Sequence, residues 1–395
     1  LVTMQYVKAV ERKARGAEKK RVRKAGIDIP FLTIVFVMLA FGLIMVFSAS
    51  APSAFYKEGD KLYYIKRQLI WTVLGIGCMG VTMCVSYKLI KKYASILFIA
   101  ALALLVLVLA IGSTGGGAQR WLEIGPIRFQ PSELAKFALV FFFAKHMSEK
   151  PRHQIRKFVK GLLPYLFILG LVVGILILQD HLSGAIIIFA TGIIMLVAGG
   201  AKISHLGLIA LAGLAVIIPA AFLEEYRLKR LTAFLDPFAD PTDTGYQIVQ
   251  GLYAIASGGL FGLGLGQSRQ KFLYIPEAHN DYIYAIICEE LGFVGAILVA
   301  VLFVLLITRG VYIAMHAPDT FSSLTVFGII AIMGLQYLIN VGVVTASIPN
   351  TGMQLPFFSA GGTSLVVIMA AMGVVLNVSR SIKPRGTMSR EGGKK

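Results

Sequence analysis

An all-helical protein that crosses a membrane about ten times is the fold class this 395-residue sequence predicts, and three observations predict it. Hydrophobic residues make up 57% of the chain and charged residues only 15%, with a mean hydropathy of +0.77. Such values lie far from a water-soluble average. The apolar residues fall in long unbroken runs rather than the ten-residue alternation of a membrane barrel. Lysine and arginine gather at the two termini and in one short loop. A helix satisfies its own backbone in lipid, and about 20 apolar residues span a hydrocarbon core of roughly 30 Å.

Ten spans follow in order: 31–50, 68–87, 93–112, 133–147, 161–179, 183–200, 205–222, 281–308, 321–345 and 363–379. The first follows a basic start and ends in Ala49-Ser50-Ala51, which resembles a signal-peptide cleavage site. Its apolar run exceeds the usual signal core, so an uncleaved first helix is expected. Translation begins at either Leu1 or Met4. Basic residues mark the cytoplasmic side. A tail over 1–27 carries Lys8, Arg12, Lys13 and six further cations, and the tail over 383–395 carries Lys383, Arg385, Arg390, Lys394 and Lys395. Both termini and the 148–160 loop are therefore placed inside. The membrane domain covers 28–382, and its loops at 113–132, 223–279 and 346–362 face out.

Composition and motifs exclude several functions. A net charge of +18 invites a nucleic-acid reading, but the cations sit in tails and loops where anionic lipid headgroups explain them, so no nucleic-acid partner is expected. Cys78, Cys84 and Cys288 lie within apolar spans as small hydrophobes and imply neither metal nor disulfide. No phosphate-binding GxxxxGK[ST] loop, zinc HExxH pair or GxSxG elbow is present. The glycine run 258–266 imitates GxGxxG only superficially, because no strand precedes it.

The polar residues crowd the outer loops. In the first, GGGAQRWLEIGPIRFQPSELAK over 115–136 forms a compact turn before a helix that Ser132 can cap. Glu133 and Lys136, three apart, share a face and can pair in the membrane, either as a packing bridge or as a wall of a polar cavity. In the large loop, Tyr246, Val249 and Tyr253 recur at helical spacing, as in an interfacial amphipathic helix. Its cations Arg227, Arg230 and Lys271, with Arg120 of the first loop, suit a phosphate-bearing ligand, or else anchor lipid headgroups. The loop closes in PEAHND, which puts Glu277, His279 and Asp281 at a helix mouth. There Asp281 either caps the helix or does chemistry. The third loop, PNTGMQLPFFSAGGTS over 349–364, carries no charge and reads as non-helical backbone that lines a cavity, with Gln336, Asn340, Thr363 and Ser364 nearby.

Taken together, RWL with QPSE and Lys136, GYQ with the glycine run and QK, PEAHND into EELGFVG, and PNTG with LPFFSAGGTS resemble the SEDS family of bacterial cell-wall synthesis, which includes FtsW, RodA and SpoVE. The FSASAPSA and SAGGTS segments look closer to the FtsW and SpoVE branch than to RodA. The resemblance spans about Asp28 to Ile382. It implies ten helices and a peptidoglycan glycosyltransferase that polymerises lipid II at the outer membrane surface, beside a class B penicillin-binding transpeptidase and other division or sporulation machinery. The family's essential acid falls on Asp281 and its intramembrane pair on Glu133 and Lys136. Gln130, Glu277, His279 and Ser364 join the substrate-binding candidates. Two departures, Gln179-Asp180-His181 after the fifth span and Gln250-Gly251 after GYQ, put any role of Asp180 or Gly251 in doubt.

The expected chemistry needs one base. A pyrophosphate leaving group is already a stable anion, so Asp281 would accept a hydroxyl proton while cations stabilise the departing charge. No cofactor is called for by a motif; a divalent cation, Mg²⁺ or Mn²⁺, held by phosphates and a carboxylate is an option for sharing that charge. The rival readings are a lipid II flippase and a scaffold that recruits the transpeptidase. A flippase needs polar groups through the whole membrane depth.

Overall fold

A computed structural model describes residues 26–115, 118–125, 127–202, 233–243 and 245–382, with isolated positions between 204 and 213. Nine of the ten expected spans are helical among these residues. They are α1 (Ile29–Glu58), α2 (Tyr63–Cys84), α3 (Tyr87–Ile111), α4 (Pro131–Glu149), α5 (Leu163–Leu178, entered through a π-helical turn) and α6 (Leu182–Ala198). After the amphipathic α7 (Tyr246–Gly258) come α8 (Ile283–Met315), α9 (Thr320–Val344) and α10 (Gly362–Ser379). The span at 205–222 lies largely outside the described residues. Side chains left on the outside, such as Val73, Ile99 and Phe167, are large and apolar, as a lipid-facing surface requires.

Small residues set the closest helix contacts. Gly373 of α10 lies so near α2 that a methyl group there would meet Thr82 Oγ1 at 2.0 Å, and Thr82 Oγ1 donates to the carbonyl of Ala370 at 2.8 Å. Close backbone approach is the usual basis of helix association in lipid. Where the start of α1 meets the end of α10, Asp28 caps α1 through Phe31 N at 3.0 Å and pairs with Arg309 of α8 at 2.9 Å.

Residues 113–129 differ from the expected turn. They form an antiparallel meander of β1 (Ser113–Gly115), β2 (Ala118–Ile124) and β3 (Ile127–Phe129), with Glu123 opposite Arg128 and Gly125 at φ 59° in the tight turn. β1 and β3, of three residues each, leave too little alternation to read. Ser132 does not cap α4 either. Pro131 opens that helix with Gln130 at the cap position, and the buried Ser132 hydroxyl has no hydrogen-bond partner.

The glycine run approaches protein, not ligand. Helix α8 is broken at Gly292 (φ 65°), which frees the carbonyls of Glu289 and Glu290 to accept Leu263 N and Gly264 N, each at 2.9 Å. In return Phe293 N and Val294 N donate to Gly259 and Leu260 at 2.9 and 3.2 Å. The segment is thus threaded through the break in the helix. A methyl at Gly258 would meet the Cys288 carbonyl oxygen at 1.9 Å, and one at Gly262 that of Glu290 at 2.2 Å. Helix α7 packs on α8 through Ile248, Gly251, Ala254 and Gly258, and Gly251 accommodates the ring of Tyr282. Val249 is buried with them, Tyr246 is partly buried and Tyr253 stays half exposed, so the expected stripe of Tyr246, Val249 and Tyr253 does not form a single face.

Gly258→Ala is expected to lower stability by about 1–3 kcal/mol through overpacking against rigid backbone. Gly77→Ala, at a helical site with nothing within 4 Å, should be neutral or slightly stabilising. Thermal unfolding in detergent measures both.

Candidate active site

Helix α8 begins one residue later than a capping Asp281 would require. Tyr282 occupies the cap position, and its carbonyl accepts Ala285 N at 2.9 Å. Asp281 therefore stands just ahead of the helix, half-buried, with its carboxylate beside Gly352 of the PNTG turn: a methyl on Gly352 would lie 3.1 Å from Oδ2. Gly352 itself adopts φ 64°, which an L side chain resists.

The rest of PEAHND is tied to the first two helices. Glu277 Oε1 meets Lys57 Nζ at 2.7 Å and Oε2 lies 3.4 Å from His279 Nε2. His279 is buried, and its ring lies against Tyr64 of α2 with centroids 4.4 Å apart. Burial by itself raises the Glu277 carboxyl, but Lys57 and His279 hold it below its ordinary value. Burial keeps the His279 imidazole below its ordinary value.

A second group of candidates converges on the start of α4. Lys136 Nζ and Glu133 Oε1 are 2.7 Å apart and both side chains are buried, and the Ser364 hydroxyl donates to Glu133 Oε2 at 2.9 Å. The amide of Gln130 lies 3.4 Å from His181 Nε2, in the turn between α5 and α6. Burial pushes His181 down to about 3, with the Arg120 and Lys136 cations adding to the effect, so the ring is neutral and Arg120 of β2 is its neighbour. Ser183 donates to the Thr351 carbonyl and so joins this group to the PNTG turn. A small cavity of mixed character, lined by Gln336, Gln354, Ser359 and Ser364 together with Leu355, Phe357 and Ile368, lies against the residues that follow this turn.

Lys271 belongs to neither group, which corrects its expected role at pyrophosphate. Its ammonium is buried against Glu290 Oε1 at 2.8 Å and Ser48 Oγ of α1 at 3.2 Å. The adjacent Glu289 accepts Ser268 Oγ at 2.5 Å and Arg269 N at 2.9 Å. The Lys271 charge is thus taken up by Glu290 and Ser48 inside the protein rather than held out toward the loop surface. Two successive carboxylates inside an apolar helix were the sequence signal for this network. Arg227 and Arg230 lie outside the described residues. His181, Lys57 and Tyr64 had no local signal, because only the fold brings them to the site. Among the described residues no group of three or more His, Cys, Asp or Glu side chains is arranged to hold a metal ion.

The fold and site define a multi-pass membrane protein with a conspicuous carboxylate at the mouth of its helical bundle. More particularly, residues 29–384 match the family model of FtsW, RodA and SpoVE, described as cell cycle proteins, and the chain belongs to that family. It is 41% identical over 366 residues to the probable peptidoglycan glycosyltransferase FtsW of Geobacter sp. (strain M18), covering 91% of this chain and 99% of that one. Identity to stage V sporulation protein E of Bacillus subtilis (strain 168) is 42% over 360 residues, covering 91% and 98%. A solved chain from a study of polymerization and crosslinking by a peptidoglycan synthase complex superposes with a TM-score of 0.75 at 30% identity, over 90% of this chain and 98% of that chain. The rod shape determining protein RodA of Thermus thermophilus gives 0.68 at 28% identity, over 91% and 98%.

Two measurements probe these electrostatics. Lys136→Met strands a buried carboxylate and should cost about 3–5 kcal/mol, most of it regained in the double variant Glu133→Gln/Lys136→Met; thermal unfolding reads the difference. Glu277 and His279 both bind protons less readily in the folded protein, so their contribution is present at neutral pH. It should fall as pH drops below the ordinary histidine value of 6.5 and on through the carboxyl range. His279→Phe, which keeps an aromatic ring beside Tyr64, is expected to flatten the upper part of that acid limb in unfolding temperature against pH.

Proposed function

We infer that this protein is a peptidoglycan glycosyltransferase serving cell division or sporulation, and we propose that it polymerises lipid II at the outer membrane surface with Asp281 as general base. The observation that carries the proposal is the position of Asp281, one residue ahead of the α8 cap, half-buried at the mouth of the bundle and beside the PNTG turn. In the reaction the 4-hydroxyl of one disaccharide attacks the anomeric carbon of another. The bond to undecaprenyl pyrophosphate breaks with its electron pair, and the hydroxyl proton passes to the Asp281 carboxylate. A positioned base of this kind contributes ~10² to 10⁴ in rate.

Arg120, together with Arg227 and Arg230, is our candidate for holding the pyrophosphate, where guanidinium geometry matches its oxygens. Glu133 and Lys136 neutralise one another and, with Ser364 and Gln130, offer polar groups to the sugar side. Glu277 and His279 brace the turn that carries the base. A divalent cation, if one takes part, would draw its protein ligand from Asp281 and the remainder from substrate phosphates. Both tails are placed in the cytoplasm and the site outside, by the distribution of basic residues. The likeness to a chain from a peptidoglycan synthase complex supports a class B penicillin-binding transpeptidase as partner.

Asp281→Ala protein, supplied with labelled lipid II in detergent beside its transpeptidase, is expected to form no glycan ladders where wild type does. Ladders from both would remove Asp281 as the base. Silence from both, with transbilayer movement of lipid II in vesicles, would favour a flippase. Gly352→Ala, strained at φ 64° and pressed toward the carboxylate, should slow polymerisation by roughly tenfold, read as initial rate.

A further inference from the structure

The backbone leading to Asp281 is gripped at three successive carbonyls from one side. Ala360 N donates to the carbonyl of His279 at 2.9 Å, Ser359 Oγ to that of Asn280 at 2.6 Å, and Asn340 Nδ2 to that of Asp281 at 2.9 Å. Helix α8 draws on none of them, since its first internal bonds go to the carbonyl of Tyr282. The turn is therefore fixed from outside its own helix.

Asn340 does more than close one bond. It is fully buried on α9, and the same nitrogen donates to the carbonyl of Met353 at 2.6 Å. Met353 follows Gly352, the residue that flanks the Asp281 carboxylate. One amide thus sets both the main chain of Asp281 and the turn beside its side chain. Meanwhile Asn340 Oδ1 is buried with no hydrogen-bond partner. An unpaired amide oxygen is unfavourable in the interior, so what the side chain contributes there comes through its two donations. Ser359 acts likewise, since its hydroxyl also accepts Leu355 N at 2.8 Å and so locks the loop that it uses to hold Asn280.

We propose that Asn340 and Ser359 are positioning residues for Asp281, acting through its main chain to aim the carboxylate without touching substrate. The proposal rests on Asp281 being the base. A reacting group displaced by about 1 Å loses on the order of 10² in rate.

The test measures polymerisation by the full chain with its transpeptidase partner, at varied lipid II, for Asn340→Leu, Ser359→Ala, Ser359→Thr and Asp281→Ala. Asn340→Leu and Ser359→Ala are expected to lower kcat by roughly 10- to 100-fold while KM stays within about twofold. Ser359→Thr, which keeps the hydroxyl, should recover most of the rate. If Asn340→Leu fails to assemble, the two Ser359 variants decide the matter. A raised KM at unchanged kcat would overturn the proposal, because it marks substrate contact. Wild-type rates in Asn340→Leu and Ser359→Ala beside an inactive Asp281→Ala would overturn it as well, while leaving the base in place. Equal losses of rate and unfolding temperature in Ser359→Ala and Ser359→Thr would reduce Ser359 to packing. Glycan chains from Asp281→Ala protein would strike the underlying reading itself.

Discussion

Backbone that leaves the helical state within a helix bundle must find its hydrogen bonds inside the protein, and the rest of this structure depends on how residues 346–361 do so. That segment carries no charge, yet it reaches every part of the site. Thr351 receives Ser183 from the α5–α6 turn, Met353 receives Asn340 from α9, and Ser359 and Ala360 hold the approach to Asp281. Just beyond it, Ser364 meets Glu133 on α4. A loop whose backbone bonds to three other elements also brings those elements together.

The charges inside the bundle obey a similar rule. Lys136 is matched by Glu133, Lys271 by Glu290 and Arg309 by Asp28, and Glu289 takes hydroxyl and amide donors. Removing an ion from water costs several kcal/mol unless partners are supplied, and each of these groups has at least one, with Ser364 added at Glu133 and Ser48 at Lys271. Asp281 stands apart by location: it is half-buried, at the mouth, next to a glycine that leaves room beside its carboxylate. The interior ions are matched within the protein, whereas Asp281 lies at the edge of the bundle.

Much of the fold was legible because lipid imposes a simple code. Length and apolarity alone located nine helices among the described residues, and the spacing of Glu133 and Lys136 foretold their pairing. Three-residue strands were not legible, since β1 and β3 are shorter than one readable alternation. Lys271 misled for a physical reason: a cation in a polar loop looks available until the fold brings Glu290 beneath it. The glycine run could be set aside as a nucleotide fingerprint because no strand precedes it, but its partner, a broken helix from later in the chain, depends on tertiary structure. His181, Lys57 and Tyr64 reach the site across sequence separations that no local pattern records.

The break at Gly292 also divides α8 mechanically. Below it the helix is a continuous rod that runs to Arg309 and its clasp on Asp28. Above it residues 283–291 are laced to the glycine segment, and the turn ahead of them is held by α9 and the following loop. The stiffness of an α-helix comes from its unbroken ladder of bonds, and here the ladder stops and passes to another segment. Asp281 is thereby mounted on a short, separately braced stub, an elbow away from the shaft that faces the lipid. Bending of that shaft as it adapts to the bilayer meets its first compliant joint before it reaches the carboxylate.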